Sequence, residues 1–290
     1  MEKNVLNKFQ AFIYEAAYIA LESGYFAGKN NLDSPELKAM ERILTVFELD
    51  SREACENFIK EYDSVTNRQS AKYLCAKYLN PEKREFFSQL GADELILYHS
   101  ANFDISREYG NYLGESFNMA NMSIADIGGS SGGLLTGIAD VCKSTTLNVF
   151  DTEAACEIGE SINDNINFIP CDFFKFDFTG KTFDVVIVSN ILHDWSNEKA
   201  LLLLNNLKSL LEKCKYLIIH EDILDNSGDE PAETLVYGLR LAINEPGGRQ
   251  RTFKELDKLV NELGCGLKAA KSLHFAPLSA RIYSKAEKER

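Results

Sequence analysis

The sequence predicts an α/β fold, in which a doubly wound, mostly parallel sheet follows a helical N-terminal part. Three observations support this fold class. From Ser123 onward, short apolar runs alternate with helical patterns, as in sheets built from β-α-β units. The run at residues 185–188 is apolar and β-branched throughout, which is typical of a strand covered on both faces. Before about Ala120, apolar residues instead recur at helical spacing.

The composition is that of a globular protein and excludes several classes of function. The 290 residues are 45% hydrophobic and 26% charged, enough for one large domain or two modest ones. A net charge of -13 should repel nucleic acid and anionic membranes, so neither is expected as a partner. Glu15 interrupts the apolar run near the N-terminus, so we expect no signal peptide or membrane span and a cytoplasmic protein. The seven cysteines lack CxxC spacing, which argues against a zinc site or a disulfide framework.

Residues 1–114 are predicted to form a helical domain. One helix runs from Asn4 to Leu21, and Ser34 and Ser51 are placed to cap the next two. A turn then leads to a helix over Ala71–Tyr78. This succession is similar to a winged-helix module, but its surface is acidic rather than basic, which argues against DNA binding. We therefore expect a dimerisation or substrate-lid domain, and a homodimer formed through its helices.

Residues 115–290 are predicted to form the sheet domain. Five strands with helices between most of them are followed by two strands with no helix between them, which predicts an antiparallel edge hairpin. The expected strands are Ser123–Ile127, Thr146–Phe150, Asn167–Cys171, Phe183–Ser189, Tyr216–Glu221, Leu267–Phe275 and Ala280–Ser284.

A glycine-rich loop follows the first predicted strand. That strand ends in Asp126-Ile127, and the chain then reads Gly-Gly-Ser-Ser-Gly-Gly, beginning at Gly128 and Gly129. Glycines let the backbone turn sharply and approach a ligand closely. The second strand ends in Asp151, whose carboxylate can bind both hydroxyls of a ribose. Dinucleotide and S-adenosylmethionine (SAM) sites share these features, and Asp151 could alternatively cap the helix that begins after Thr152.

Three details favour SAM over a dinucleotide. Ser130 replaces the second glycine of the G-x-G-x-x-G pattern. The third strand also ends in an acid, Asp172, followed by Phe173, a pair that suits the amine and the ring of an adenine. The antiparallel hairpin at the end of the chain departs from an all-parallel nucleotide fold.

The fourth strand ends in Ser189, and polar residues follow it at His193, Asp194 and Trp195. In open α/β sheets, ligands bind just beyond the carboxyl ends of the strands. An imidazole titrates near neutral pH, so we predict His193 to be a catalytic base. The alternative is a core histidine hydrogen-bonded to a backbone carbonyl. His220 should point to the opposite side of its strand from Glu221, so we expect it to be structural. His99 and His274 have no partner motif, and four scattered histidines predict no metal site.

These motifs together resemble the class I SAM-dependent methyltransferases, and more narrowly their small-molecule O-methyltransferases. That group includes plant caffeate and flavonoid enzymes and bacterial enzymes of natural-product biosynthesis. The resemblance rests on the stretches DIGGSSGG, VFD, CDFF, SNILHDW, HEDIL and EPGGRQRTFKEL. It implies a Rossmann-like, seven-stranded methyltransferase sheet, SAM as cofactor with S-adenosylhomocysteine as product, and no metal. The implied reaction is O-methylation of a small aromatic metabolite.

The resemblance also implies roles for individual residues. His193 is the expected base, and Glu221 at the end of the fifth strand is expected to orient its imidazole. The expected cofactor contacts are Asp126, Gly128, Gly129, Asp151, Asp172, Phe173, Ser189 and Trp195. An aromatic-rich segment before the sheet and the helix after the fifth strand are candidates for the acceptor pocket, with packing between domains as the alternative. Their residues are Tyr109, Met119, Tyr237, Leu241 and Asn244.

The sequence also departs from the family pattern. Gln250 occupies a position where the family has a glutamate, and Ser189 one where the plant enzymes have a lysine. An amide can orient a histidine but cannot stabilise its charged form. Two alternatives therefore stay open: a C- or N-methyltransferase of the same fold, and a SAM-binding protein that catalyses a rearrangement or decarboxylation or acts as a sensor. A winged-helix regulator is opposed by the negative charge.

Overall fold

The structure is a computed structural model that describes residues 3–28, 34–80, 91–143, 146–228, 230–245, 247–274 and 278–285. The chain folds into two compact units. The helical unit comprises the described residues within 1–88, 193–196 and 222–253. The sheet unit comprises those within 89–192, 197–221 and 254–290.

The strands are β1 Ser123–Ile127, β2 Thr146–Asp151, β3 Asn167–Pro170, β4 Val185–Ser189, β5 Tyr216–Glu221, β6 Ile223–Leu224, β7 Arg251–Thr252, β8 Leu267–His274 and β9 Ser279–Lys285. Seven of them form the sheet of the sheet unit, in the order β3-β2-β1-β4-β5-β9-β8. The first five strands in this order, β3, β2, β1, β4 and β5, pair in parallel with their neighbours. Strand β9 pairs with β5 on one side and β8 on the other, both antiparallel. The carboxyl ends of β1, β2 and β4 therefore lie at one edge, where the predicted polar residues follow.

The helices are α1 Lys3–Glu22, α2 Pro35–Val46, α3 Arg52–Glu61, α4 Val65–Leu79, α5 Ala92–Ser116, α6 Gly133–Val141, α7 Glu153–Ile162, α8 Asn197–Asn206, α9 Lys208–Leu211, α10 Ala232–Asn244 and α11 Phe253–Glu262. In the sheet unit, α5 packs on α6, and Arg107 on α5 bonds to Asp140 on α6 at 2.7 Å. Leu113 of α5 shares a core with Leu134 and Ile138 of α6. Contacts thus place α5 with the sheet, whereas the division predicted from the sequence counts most of it with the N-terminal part.

In the helical unit, α1 to α4 pack with α10 around one apolar core. Ser34 and Ser51 cap α2 and α3 as predicted, by accepting hydrogen bonds from Leu37 and Ala54. The helix predicted at Ala71 instead starts at Val65, because Ser64 accepts a bond from the backbone of Asn67 and caps it six residues earlier. The described residues of 3–28 and 34–80 form helices and contain no strand. They therefore show the helices of a winged-helix module but not the strands of its wing.

The predicted α/β class and the seven-stranded sheet are confirmed. The short parallel pair of β6 and β7, in the helical unit, was not predicted, and Phe275 lies outside the described residues. In the described part of the chain, no helix combines the length and apolar character that a membrane crossing requires. The same residues contain no cluster of three or more His, Cys, Asp or Glu that could hold a metal ion.

Candidate active site

The glycine loop joins β1 to α6 at the carboxyl edge of the sheet. Gly128 has a φ of +74°, and a side chain there would place its Cβ 2.2 Å from Cδ1 of Ile191. Only glycine fits this position. The Gly128 amide donates to the Phe150 carbonyl at 2.7 Å, which ties the loop to the end of β2. Ser130 also has a positive φ, of 53°, an uncommon conformation for a residue with a side chain.

Asp151, the last residue of β2, ties the same loop from its side chain. Its Oδ2 accepts from the Ser130 amide at 2.8 Å, and its Oδ1 accepts from the Thr152 amide at 2.6 Å. The N-cap of α7 is Thr152, whose hydroxyl accepts from Ala155. Asp151 therefore holds the glycine loop in place, and the capping role considered for it belongs to its neighbour.

Asp126 is a buried carboxyl group beside this loop. It is 1% exposed, and neither of its oxygens has a hydrogen-bond partner among the described residues. Burial, with a smaller contribution from the charge of Asp151, raises its pKa to about 8. A Cβ on Gly129 would lie 2.6 Å from Oδ2 of Asp126, so the glycine is needed at this close approach. A buried acid in this state is suited to a ligand that brings a cationic group.

Asp172 and Phe173 follow β3 at the same edge of the sheet. Oδ2 of Asp172 lies 2.8 Å from Nζ of Lys175, and Oδ1 accepts from the Phe174 amide at 3.0 Å. The hydrogen bond from Lys175 holds the pKa of Asp172 below its usual value. The Phe173 ring lies next to Gly128, with Cε1 3.7 Å from the position of a Cβ there. The loop therefore has an aromatic ring at its side, and the contact of this ring with an adenine remains a prediction.

His99, which the sequence gave no reason to select, also holds the loop. Its Nδ1 lies 2.6 Å from Oγ of Ser130, and its carbonyl accepts from the Ser131 hydroxyl at 3.2 Å. The side chain is buried, and burial lowers its pKa, so the imidazole is neutral at pH 7. His99 is on α5, far from the loop in sequence, and no local motif marks it.

His193 belongs to the helical unit and lies in a short 3-10 turn, Leu192–Asp194. Its carbonyl accepts from the Arg249 amide at 2.7 Å, and its Nε2 lies 3.4 Å from Oδ1 of Asp194. Burial, together with the charge of Arg251, lowers its pKa to about 4. The imidazole is therefore neutral at pH 7 and able to accept a proton.

Trp195 lies two residues further along in the same unit. Its carbonyl accepts from Nη2 of Arg251 at 2.6 Å, and Arg251 is almost fully buried. Bonds from Arg249 and Arg251 thus fix the backbone on both sides of Asp194. The segment Gly-Gly-Arg-Gln-Arg-Thr, selected from its sequence, is what positions the histidine turn.

Glu221 and Ser189 lie in the sheet unit. Glu221 is the last residue of β5 and is 1% exposed. Its pairing with His193 stays a prediction, because the two residues belong to different units. The Ser189 hydroxyl lies 2.8 Å from Nδ1 of His220, whose pKa burial lowers to about 3. Ser189 thus contacts a buried structural histidine, and its cofactor contact remains untested.

The two acceptor candidates of the sheet unit pack against its interior. Met119 is completely buried in the core beneath the sheet. Tyr109 is half-buried, and its ring lies edge-on to the imidazole of His220 with 5.7 Å between centroids. Both residues pack within the sheet unit, so these contacts do not test packing between domains, and the role of both residues toward an acceptor remains a prediction.

The three candidates on α10 lie in the helical unit. Tyr237 is 48% exposed, with its ring 5.7 Å from that of Phe12. Leu241 is half-buried, and Asn244 accepts a bond from Nζ of Lys77 at 3.1 Å. Tyr237 is the most accessible of the five residues predicted to meet the acceptor, and no contact in the structure tests that role.

Comparison with known proteins agrees with these motifs. The model of the O-methyltransferase domain family matches residues 92–266. Acetylserotonin O-methyltransferase of Bos taurus is 28% identical over 188 residues, covering 62% of this chain and 54% of the bovine protein. The chain spans about half the length of the curated relatives it matches.

Two solved structures share the fold over almost the whole chain. An O-methyltransferase family 2 protein from Planctomyces limnophilus, solved in complex with apigenin, has a TM-score of 0.72 and 14% identity, covering 98% of this chain and 96% of that one. Human N-acetylserotonin methyltransferase, solved with SAM, has a TM-score of 0.66 and 16% identity, covering 99% of each chain. The family match spans more than half of the sequence and confirms the resemblance read from its motifs: the chain belongs to the O-methyltransferase domain family.

Proposed function

We propose that the protein is a SAM-dependent O-methyltransferase that methylates a hydroxyl group of a small aromatic metabolite. The observation that carries the proposal is the glycine loop after β1, which lies within the matched family domain. It borders the carboxyl group of Asp126, which has no hydrogen-bond partner in the described part of the chain. The products are a methyl ether and S-adenosylhomocysteine. Relatives named for isoflavone and acetylserotonin methylation support an aromatic acceptor.

The residues at the carboxyl edge of the sheet fit SAM. The close backbone approach at Gly128 admits a ligand where a side chain would collide. Asp126 offers a buried carboxylate to a cation, and SAM carries both an ammonium and a sulfonium. We assign the ribose to Asp151 and the adenine to Asp172 and Phe173. The contacts of Ser189 and Trp195 with the cofactor remain part of the proposal.

The proposed catalytic step centres on His193. When bound, SAM supplies an activated methyl group, so the protein has to align the acceptor hydroxyl and remove its proton. His193 is neutral at pH 7, because burial and Arg251 disfavour its charged form. Once it has taken the proton, the carboxylate of Asp194, 3.4 Å from Nε2, can stabilise the imidazolium. We assign Glu221 the orientation of the imidazole.

A second candidate is methylation at carbon or nitrogen on the same fold. It is favoured by the pKa of about 4 for His193, which makes the imidazole a weak base. In that case His193 positions the acceptor and takes no proton. The nature of the methylated atom separates the two candidates.

The experiment is an acceptor screen with SAM and a panel of hydroxylated aromatic compounds, with products identified by mass spectrometry and NMR. We expect a methyl ether, and a loss of about 10²- to 10⁴-fold in rate for His193→Ala, the usual contribution of general acid-base catalysis. Binding of S-adenosylhomocysteine should be kept in this variant, and His274→Ala serves as the matched control. An N- or C-methyl product rejects O-methylation, and SAM binding without turnover of any acceptor rejects methyl transfer.

We also propose that the protein is a homodimer formed through its N-terminal helices. The support is a set of exposed apolar side chains on α4: Val65 is 62% exposed, Tyr73 56% and Leu79 53%. Exposed apolar side chains mark an interaction surface when they form one patch, and we propose that these three do so on α4. Light scattering after size exclusion should give a dimer mass for the wild type and a monomer for Tyr73→Glu. A monomeric wild type contradicts the proposal.

A further inference from the structure

We propose that the helical unit contains a second binding site, for a small organic acid, in a cavity between α2 and α10. The cavity has a volume of about 490 Å³, within the range of small-molecule pockets. One wall is a face of α2 and the other a face of α10, with Leu224, Arg249 and Gln250 at its end. Neither His193 nor any residue of the glycine loop lines it, whereas Arg249 and Gln250 belong to the segment that positions the histidine turn. Binding in this cavity can be measured without SAM or an acceptor, so its failure is distinguishable from a failure of the proposed methyl transfer.

The cavity exists because small residues face each other across two packed helices. Ala39 on α2 lines one wall, and Gly238 and Ala242 on α10 line the other. A Cβ on Gly238 would lie 3.4 Å from Cγ of Gln250, an ordinary to tight contact. Larger side chains at these positions would fill the space and bury more apolar surface. The sequence leaves room here instead.

Two buried polar side chains in this cavity point to a ligand. Gln250 is 6% exposed and Thr234 is completely buried, and both line the cavity. The nitrogen and the oxygen of the Gln250 amide have no hydrogen-bond partner among the described residues, and the same is true of the Thr234 hydroxyl. Leaving such groups without partners destabilises a protein, and buried polar groups are normally satisfied. A ligand with its own donor and acceptor would satisfy both.

The charges and apolar residues around the cavity define the chemical class of the ligand. Lys38, Arg42 and Arg249 contribute three positive charges against one negative charge from Glu41. This excess is local, because the whole chain has a net charge of -13. Arg42 is also positioned, since its Nη1 donates to the Gly228 carbonyl at 3.1 Å. Guanidinium groups bind carboxylates well.

Apolar side chains cover the remaining walls: they are Ala39, Val46, Leu224, Leu235 and Ala242. We therefore assign the cavity a ligand with a carboxylate at the Arg42 end, an apolar or aromatic body, and a hydroxyl or carbonyl facing Gln250 and Thr234. The exposed position of Arg42 leaves this end open to solvent.

The test is a titration of the full chain with 4-fluorobenzoate, followed by fluorine NMR. We expect saturable binding to the wild type and binding at least tenfold weaker to Arg42→Gln and to Thr234→Val. Arg52→Gln is the matched control, because Arg52 is an exposed arginine of the same unit outside the cavity, and it should bind like the wild type. The neutral 4-fluorobenzyl alcohol should bind more weakly than the acid.

Thermal unfolding separates a binding role from a structural one. Thr234→Val and Gln250→Leu remove polar groups that have no partner among the described residues, so the melting temperature without ligand should stay equal or rise while binding falls. No binding of 4-fluorobenzoate at millimolar concentration overturns the proposal. Equal binding to the wild type, Arg42→Gln and Thr234→Val also overturns it, because the acid then binds elsewhere. If Thr234→Val does not fold, the affinity of Arg42→Gln for 4-fluorobenzoate still tests the proposal, because Arg42 is exposed and its replacement should not affect folding.

Discussion

Two buried carboxyl groups, one in each unit, show how differently this chain treats the same chemical group. Glu15 of the helical unit and Asp126 of the sheet unit are each 1% exposed. Glu15 accepts hydrogen bonds from Nε of Arg240 at 2.9 Å and from the Ser70 hydroxyl at 2.5 Å. Asp126 has no hydrogen-bond partner among the described residues, and its pKa is raised to about 8.

The difference separates a carboxylate that holds the fold together from one that is kept for a ligand. A buried charge is stable only when it is paired and hydrogen-bonded, as Glu15 is. Asp126 carries the cost of burial without that compensation, at the edge of the sheet where ligands bind. Removing the partner of Glu15 should therefore lower stability, whereas replacing Asp126 should lower ligand binding without such a loss of stability.

The largest effect is expected from Arg240→Ala, which leaves Glu15 charged and buried. Removing one partner of a buried ion pair typically costs about 3–5 kcal/mol, and we expect the lower end because Arg240 is 33% exposed. Urea unfolding measures the change. Arg52→Ala, which breaks an exposed pair with Glu56, is the control and should cost less than about 1 kcal/mol. A loss of similar size in both variants would show that the Glu15 pair is not structural.

Asp126→Asn should have the opposite signature. The pKa of Asp126 is raised from 3.8 to about 8, so its contribution to stability is fully present below about pH 4 and is lost as the pH rises toward 8. Asparagine cannot ionise, so the variant should lose less stability than the wild type between pH 6.5 and about 8.5. Unfolding free energies measured across this range give the difference. Parallel curves for the two proteins would contradict the raised pKa.

The same variant should lose affinity for SAM. A hydrogen bond to a charged group contributes about 1.5–3 kcal/mol, so we expect binding roughly 10- to 100-fold weaker. Because Asp126 is protonated at pH 7 before binding, the wild type should also release a proton when SAM binds. Calorimetry in two buffers of different ionisation enthalpy measures this release. Proton release that is unchanged in the variant would assign it to another group.

The smallest effect is expected at His99. His99→Ala removes the 2.6 Å contact with Ser130, which helps to hold the glycine loop. A neutral hydrogen bond contributes about 0.5–1.5 kcal/mol, so S-adenosylhomocysteine should bind about 2- to 10-fold more weakly. His274→Ala, on β8, is the matched control. Equal affinities for the two variants would limit His99 to packing.

The sheet could be predicted from the sequence because its signals are local. Each buried strand is a short apolar run. The glycine loop follows β1, Asp151 is the last residue of β2, and Asp172 lies two residues after β3. Parallel pairing brings these ends to one edge of the sheet, so the cofactor side could be assembled from separate motifs. The start of α4 could not be predicted, because Ser64 suits a turn as well as the N-cap position that it takes in the structure.

The helical unit could be predicted less well because its polar contacts join distant parts of the chain. Glu15 and Arg240 are 225 positions apart, and Lys77 and Asn244 are 167 apart. No periodic pattern or motif links such residues. The cavity beside Gln250 could not be predicted either. The sequence shows a glutamine where the family has a glutamate, but it does not show the space around the amide. His99 was missed for the same reason.

The most direct test of the central claim is a calorimetric titration of the purified protein with S-adenosylhomocysteine, repeated on Asp151→Asn and on the exposed control Asp164→Asn. The account predicts micromolar binding to the wild type and the control, and binding at least about tenfold weaker to Asp151→Asn. Asparagine keeps only one of the two acceptor oxygens with which Asp151 binds the Ser130 and Thr152 amides, and it lacks the carboxylate that we propose for the ribose. No binding of S-adenosylhomocysteine, with NAD bound in its place, would contradict it.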